Sequence, residues 1–231
     1  MKKGKLWAVL YVVIVLGTLA AAEWGSRAVT ATVKTAPVER GSCIVIDPGH
    51  GGEDGGATSC TGRLESTYNL EISLRLSDLL RLLGCETRMI RTTDTSVYTK
   101  GETIAQKKAS DLKERVRIVN ETGNALLLSI HQNNFPDSRY SGAQVFYAGT
   151  QGSEALAKKL QQNLVASLNP GSNRKSKKSD GVYIMEHIDC TGVLIECGFL
   201  SNAAEEARLR SPEYQKKLCC VIAATVREYL T

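Results

Sequence analysis

Residues 43–52 read CIVIDPGHGG, and more of the architecture follows from them than from any other part of the chain. Cys43 to Asp47 is an apolar run rich in β-branched side chains, a pattern typical of a strand that is buried on both faces of a parallel sheet. A proline and three glycines follow, and they favour a turn directly after the strand. This turn carries His50, so a reactive side chain is expected at the edge of the sheet.

Two later apolar runs end in the same way. Leu126–Leu128 leads to His131, and Val193–Ile195 leads to Glu196. In open α/β sheets, ligands bind just beyond the carboxyl ends of the strands. The three runs therefore predict that reactive groups from distant parts of the chain share one crevice.

Between these runs the hydrophobic pattern changes to helical spacing, which favours an α/β fold in which helices connect parallel strands. We expect a single domain whose sheet has helices on both faces. The pattern predicts strands at 43–47, 85–91, 125–130, 142–148, 182–185 and 192–196. It predicts helices at 67–83, 111–121, 153–168, 202–210 and 212–230, with a polar connection over 92–109.

The first forty residues differ from the rest of the chain. Three lysines precede an uncharged stretch from Leu6 to Ala22, and we expect residues 1–22 to be a membrane anchor or a signal peptide. Residues 23–40 contain few large apolar groups and are interpreted as a linker. This leaves residues 41–231 as the folded domain of an exported protein.

The net charge of +5 belongs mainly to that N-terminal part. Residues 41–231 hold 23 basic and 22 acidic side chains, so the domain lacks the excess of positive charge that nucleic-acid binding requires. Nucleic acid is therefore excluded as a partner. The seven cysteines form no Cys-x-x-Cys pair, and most lie in apolar surroundings, which indicates buried thiols rather than a thiolate metal site.

Two histidines and one glutamate have the donor chemistry of a catalytic zinc site, which leaves one position open for water or substrate. His50 and His131 supply the imidazoles, and Glu65 is the candidate carboxylate. Glu65 could also stabilise the N-terminus of the first helix through its charge. Glu196 ends an apolar strand without an adjacent basic partner, which favours a role in proton transfer.

Four separated motifs carry a resemblance to a known family: DPGHGG at 47–52, Glu65, Ser129–His131 with Asn133, and LIECGFLSN at 194–202. In this order they resemble the zinc-dependent N-acetylmuramoyl-L-alanine amidases of the third amidase family. The resemblance implies a mixed, mostly parallel sheet, one Zn²⁺ ion held by His50, Glu65 and His131, and Glu196 as the catalytic acid and base. It also implies hydrolysis of the amide between the lactyl group of N-acetylmuramic acid and L-alanine in peptidoglycan.

Within the family, residues 98–102 and 111–116 resemble the amidases that act in spore cortex. This closer resemblance implies that the enzyme removes the stem peptide as the first step toward muramic δ-lactam. It implies an extracytoplasmic location in the space between the forespore membranes, with the membrane reached through the N-terminal segment. It also implies an activating lipoprotein partner.

Other residues of the motifs have two interpretations each. Asn133 could bind substrate amides or cap the turn, and Asp47 could orient a ligand histidine or fix its loop. Ser66 replaces the lysine that is usual in the family, and Thr191 replaces a proline. Neither replacement removes a candidate metal ligand.

Two other functions compete with hydrolysis of the muramoyl amide. The domain could be a degenerate module for binding or regulation, but all four functional side chains are present. It could be a zinc endopeptidase that cuts within the stem peptide, but the sequence lacks the His-Glu-x-x-His motif of such enzymes.

Overall fold

The computed structural model describes residues 41–231. The anchor or signal peptide expected over 1–22 and the linker expected over 23–40 lie outside the described residues. Within 41–231, no helix combines the length and the apolar character needed to cross a bilayer. All seven cysteines are free thiols, and four of them are buried.

A six-stranded sheet forms the centre of the domain. Its strands, in chain order, are β1 (Cys43–Pro48), β2 (Glu86–Met89), β3 (Ala125–Asn133), β4 (Gln144–Tyr147), β5 (Lys177–Lys178) and β6 (Thr191–Phe199). They lie side by side in the order β2-β1-β3-β6-β4-β5. All neighbouring pairs are parallel except β4 and β6, which are antiparallel. The sheet is therefore mixed and mostly parallel, as expected.

Helices cover both faces of the sheet. They are α1 (Glu65–Leu82), α2 (Ile104–Asn120), α3 (Ser153–Leu168), α4 (Tyr183–His187), α5 (Ala203–Arg210) and α6 (Pro212–Tyr229). Successive residues of a strand point to opposite faces. Ile44 and Ile46 accordingly belong to the core formed with α1, α3 and α6, whereas Val45 belongs to the core formed with α2 and α4. The apolar run of β1 is thus buried on both faces.

The structure differs from the sequence expectations at several elements. Strands β3 and β6 continue to Asn133 and Phe199, so His131 and Glu196 lie within strands and not at the ends where they were predicted. The strand predicted at 182–185 is wrong, because this segment lies in the short helix α4; a short apolar run does not distinguish the two structures. The exposed edge strand β5 lies at Lys177 and Lys178, where no strand was predicted. Helix α2 begins at Ile104, because Thr103 and Gln106 form a capping box that extends it toward the N-terminus.

Candidate metal centre

The loop after β1 holds His50 in an unusual backbone conformation. Its φ angle of +59° is uncommon for a residue with a side chain. Two buried arginines fix the loop through its carbonyl oxygens. Arg91 donates to Pro48 and Gly49, and Arg115 donates to Pro48 and His50. These four hydrogen bonds offset the cost of the conformation and fix the point from which the imidazole projects.

Asp47 supports the same loop through Arg115. Its buried carboxylate accepts hydrogen bonds from the Arg115 guanidinium and, at 2.8 Å, from Ser129 Oγ. Burial acts to raise the pKa of Asp47, but the charge of Arg115 holds it below its usual range. These contacts support the second of the two roles expected for Asp47, which is to fix the loop. Within residues 41–231, Asp47 makes no hydrogen bond to His50 or His131.

Glu65 is the first residue of α1, and its carboxylate is held from several sides. Oε2 accepts from the backbone N–H of Ala57 at 3.0 Å, and Oε1 accepts from the backbone N–H of Gln132 at 3.1 Å and from Asn69 Nδ2 at 3.2 Å. Burial acts to raise the pKa of Glu65, but the two imidazoles hold it well below its usual range. The carboxylate is therefore ionised and fixed in position.

His131 lies near the end of β3, with its ring between Glu65 and Gly49. Nδ1 of His131 is 3.0 Å from Glu65 Oε1, and Nε2 of His50 is 3.4 Å from Glu65 Oε2. A Cβ atom at position 49 would lie 2.1 Å from His131 Nε2. Only glycine at this position leaves room for the imidazole.

The donor atoms of His50, Glu65 and His131 all lie within 4.8 Å of one another. A second glycine keeps this space open, because a Cβ atom at Gly56 would lie 2.7 Å from both Glu65 Oε2 and His50 Cδ2. Imidazole nitrogens and a carboxylate oxygen are the ligands that zinc prefers in catalytic sites with one open position. The residues present therefore fit a zinc ion.

Glu196 lies opposite His131 in the pairing of β3 with β6, so both side chains project from the same face of the sheet. Its Oε2 atom is buried and has no hydrogen-bond partner within residues 41–231. Burial raises the pKa of Glu196 to about 7. A buried polar atom without a hydrogen-bond partner destabilises the fold. We therefore interpret Oε2 as an atom that contacts a reacting molecule.

Two further residues complete the site, and the sequence interpretation did not assign them. Asp54 Oδ2 lies 2.9 Å from His50 Nδ1, the hydrogen bond that orients a ligand histidine in many metal sites. Asn69 lies one helical turn after Glu65 and also donates to the Gly49 carbonyl oxygen. Two features of the sequence could have identified these residues: a carboxylate four residues after His50, and an amide four residues after Glu65 on the same helix face.

Asn133 and the two departures from the family pattern have local structural roles. The backbone carbonyl of Asn133 accepts from Leu200 N–H at 2.8 Å. Ser66 is buried, its carbonyl accepts from Arg91, and its Oγ has no partner within the described residues. Thr191 donates through Oγ1 to the Gln151 carbonyl at 2.8 Å, a contact that a proline could not make.

Two imidazoles and two carboxyl groups, meeting at the carboxyl ends of a mostly parallel sheet, define a hydrolase class with a site for a divalent metal ion. The model of one family, Amidase_3, described as N-acetylmuramoyl-L-alanine amidase, matches residues 44–228. The chain belongs to this family and is an N-acetylmuramoyl-L-alanine amidase. The resemblance drawn from the four motifs is thereby confirmed.

Relatives of known name and structure agree with this assignment. The germination-specific N-acetylmuramoyl-L-alanine amidase of Bacillus subtilis is 39% identical over 194 residues, which are 83% of this chain and 81% of that protein. The CwlD amidase from Clostridioides difficile, solved in complex with the GerS lipoprotein, is 36% identical with a TM-score of 0.78 and covers 81% of this chain and 98% of its own. An N-acetylmuramoyl-L-alanine amidase from Clostridium difficile 630 is 29% identical with a TM-score of 0.71, covering 82% and 96%.

Proposed function

We propose that this amidase is a zinc enzyme that hydrolyses the amide between the lactyl group of N-acetylmuramic acid and L-alanine of the stem peptide. His50, Glu65 and His131 hold the ion, and Glu196 is the catalytic acid and base. The observation that carries the proposal is the pairing of Glu196 with His131 across β3 and β6, which sets a buried, unpartnered carboxyl oxygen beside the three donor groups.

The chemistry that zinc supplies when bound is polarisation of the scissile carbonyl and a lower pKa for water. The protein side chains do the rest. Glu196 takes a proton from the attacking water and delivers it to the nitrogen of L-alanine as the amide breaks. Asp54 orients the His50 ring through the hydrogen bond at Nδ1. Asn133, two residues beyond His131, binds a substrate amide.

The biological setting is proposed from the relatives. Because the Bacillus subtilis relative is germination-specific, we assign this chain to spore cortex, where release of the stem peptide is the first step toward muramic δ-lactam. The CwlD structure contains the GerS lipoprotein, which supports a lipoprotein as activating partner. In this proposal, residues 1–22 direct export and are then either retained as a membrane anchor or cleaved. Residues 23–40 are a linker, and residues 41–231 are the catalytic domain, which acts between the forespore membranes.

Mass spectrometry of purified muropeptides tests the reaction. Incubation with zinc and the full chain, together with its lipoprotein partner, should give free lactyl groups on muramic acid and stem peptides that begin at L-alanine. A chelator should stop the reaction, and added zinc should restore it. Shortened stems still attached to muramic acid would show an endopeptidase instead. Unchanged turnover after complete removal of the metal would contradict the role of zinc.

The cortex assignment has its own test. Loss of this chain from its source organism should deplete muramic δ-lactam in the spore cortex, and the chain with Glu196→Gln should not restore it. Normal lactam content without the chain would place the enzyme in another part of cell-wall metabolism.

A further inference from the structure

A pocket opens beside the two imidazoles of the metal centre. Helices α2 and α4 form its outer wall on one face of the sheet. The side chains that line the pocket and could contact a ligand are His50, His131, Lys108, Leu112, Val182 and Ile184. The pocket thus joins the reaction centre to an apolar wall and a lysine.

Lys108 is the cation of this pocket that can reach a ligand. Its side chain is 51% exposed, and its Nζ atom lies 3.2 Å from Asp54 Oδ2. Arg115, the other cation of the lining, is only 3% exposed and directs its N–H groups to carboxylates and to loop carbonyls. A lysine ammonium has three donors, so the contact with Asp54 leaves Lys108 able to bind a second acceptor.

We propose that Lys108 recognises the carboxylate of the residue that follows L-alanine in the stem peptide. This inference rests on the proposed function, because it requires a stem peptide in the site. In stem peptides the second residue is a D-glutamate linked through its γ-carboxyl group, so its α-carboxylate is free unless it is amidated. Lys108 therefore makes the enzyme select stems with a free carboxylate at this position.

Lys108 and His50 contact the same Asp54 oxygen, at 3.2 Å and 2.9 Å, so the ammonium group lies close to the His50 imidazole. Two residues of extended peptide span about 7 Å, which is the distance from a scissile amide at the metal centre to the carboxylate of the second residue. Leu112 and Ile184 line the same pocket, and we expect the methyl group of the intervening L-alanine to pack against them.

The test compares two synthetic muramoyl tripeptides that differ only in whether the α-carboxyl of D-glutamate is free or amidated. For the zinc-loaded full chain, we expect kcat/KM to be about tenfold higher for the free acid, the size of a charge-assisted hydrogen bond at a partly exposed site. Lys108→Met should lower the rate on the free acid about tenfold more than the rate on the amidated substrate, so that the preference disappears. Lys108→Arg should retain it.

Lys107→Met is the matched control. Lys107 is the neighbouring lysine, but its Nζ pairs with Glu53 at 2.7 Å and lies over the Tyr98 ring. We expect this variant to keep the preference for the free acid. Circular dichroism melting curves should show that all variants fold.

A second measurement decides the inference independently of turnover. The Kd of both tripeptides for the zinc-loaded Glu196→Gln chain should show the same preference, again lost with Lys108→Met. If Lys108→Met slows both substrates equally, the lysine only supports Asp54 and the inference is overturned. If the wild-type chain cleaves neither tripeptide at the muramoyl amide, either alone or with the lipoprotein partner, the proposed function fails, whereas the binding preference still tests Lys108.

Discussion

Replacement of Gly49 by alanine tests whether the backbone of the first loop sets the position of the second histidine. The added Cβ atom would lie 2.1 Å from His131 Nε2 and 2.2 Å from Cε1, whereas ordinary contact begins at 3.4 Å. The ring would have to retreat by roughly 1.3 Å, and a misplacement of about 1 Å in an active site can cost about 100-fold in rate. Its Nδ1 atom would then leave the hydrogen bond with Glu65.

We expect Gly49→Ala to lower turnover about 100-fold. It should weaken zinc binding by about 5- to 150-fold, the equivalent of the roughly 1–3 kcal/mol that an overpacked site costs. Calorimetric titration of zinc into the metal-free protein measures the affinity, and release of the stem peptide measures turnover. Gly123→Ala is the control, because nothing lies within 4 Å of a Cβ atom there. Wild-type zinc affinity and rate in Gly49→Ala would refute the inference that this glycine positions the imidazole.

Four further substitutions probe the site and its support. Glu196→Gln should leave zinc bound and lower turnover by at least about 100-fold, because an amide cannot take up the proton. The zinc content and the rate of the variant are measured together, and an unchanged rate would show that Glu196 is not the catalytic acid and base. Asp54→Ala should lower the affinity for zinc by about 10- to 100-fold, measured by calorimetric titration, whereas the control Glu53→Ala should leave it unchanged. If Asp54→Ala binds zinc as tightly as the wild type does, Asp54 does not orient His50. Arg115→Met should lower the free energy of unfolding by about 3–5 kcal/mol, because it leaves Asp47 charged and buried without its partner. Since the pKa of Asp47 is lowered in the folded state, its charge stabilises the protein above its ordinary pKa of 3.8, and this stability is lost as the pH falls through the lower folded value. The stability difference between the wild type and Asp47→Asn in urea titrations should therefore shrink below about pH 4, and a difference independent of pH would contradict the assignment.

The sequence predicted the strands at the centre of the sheet well, because each is a short apolar run followed by a turn or a reactive side chain. It did not predict the strand at one edge of the sheet, β5, and it assigned the wrong structure to residues 182–185. Lys177 and Lys178 have no apolar side chains to signal β5, and the run at 182–185 fits a helix as well as a strand. These segments take their structure from neighbours, β4 in one case and α2 in the other, rather than from their own pattern.

The sequence itself indicated the chemistry of the site, because two histidines, two glutamates and a glycine-rich turn accompany its apolar runs. The sequence did not indicate the distances between these residues or their hydrogen-bond partners. That β4 runs antiparallel to β6, that Arg91 and Arg115 hold the His50 loop, and that Lys108 reaches Asp54 all depend on segments that lie far apart in sequence. A local pattern records which face of an element is apolar, but contacts between distant segments arise only when the elements pack together.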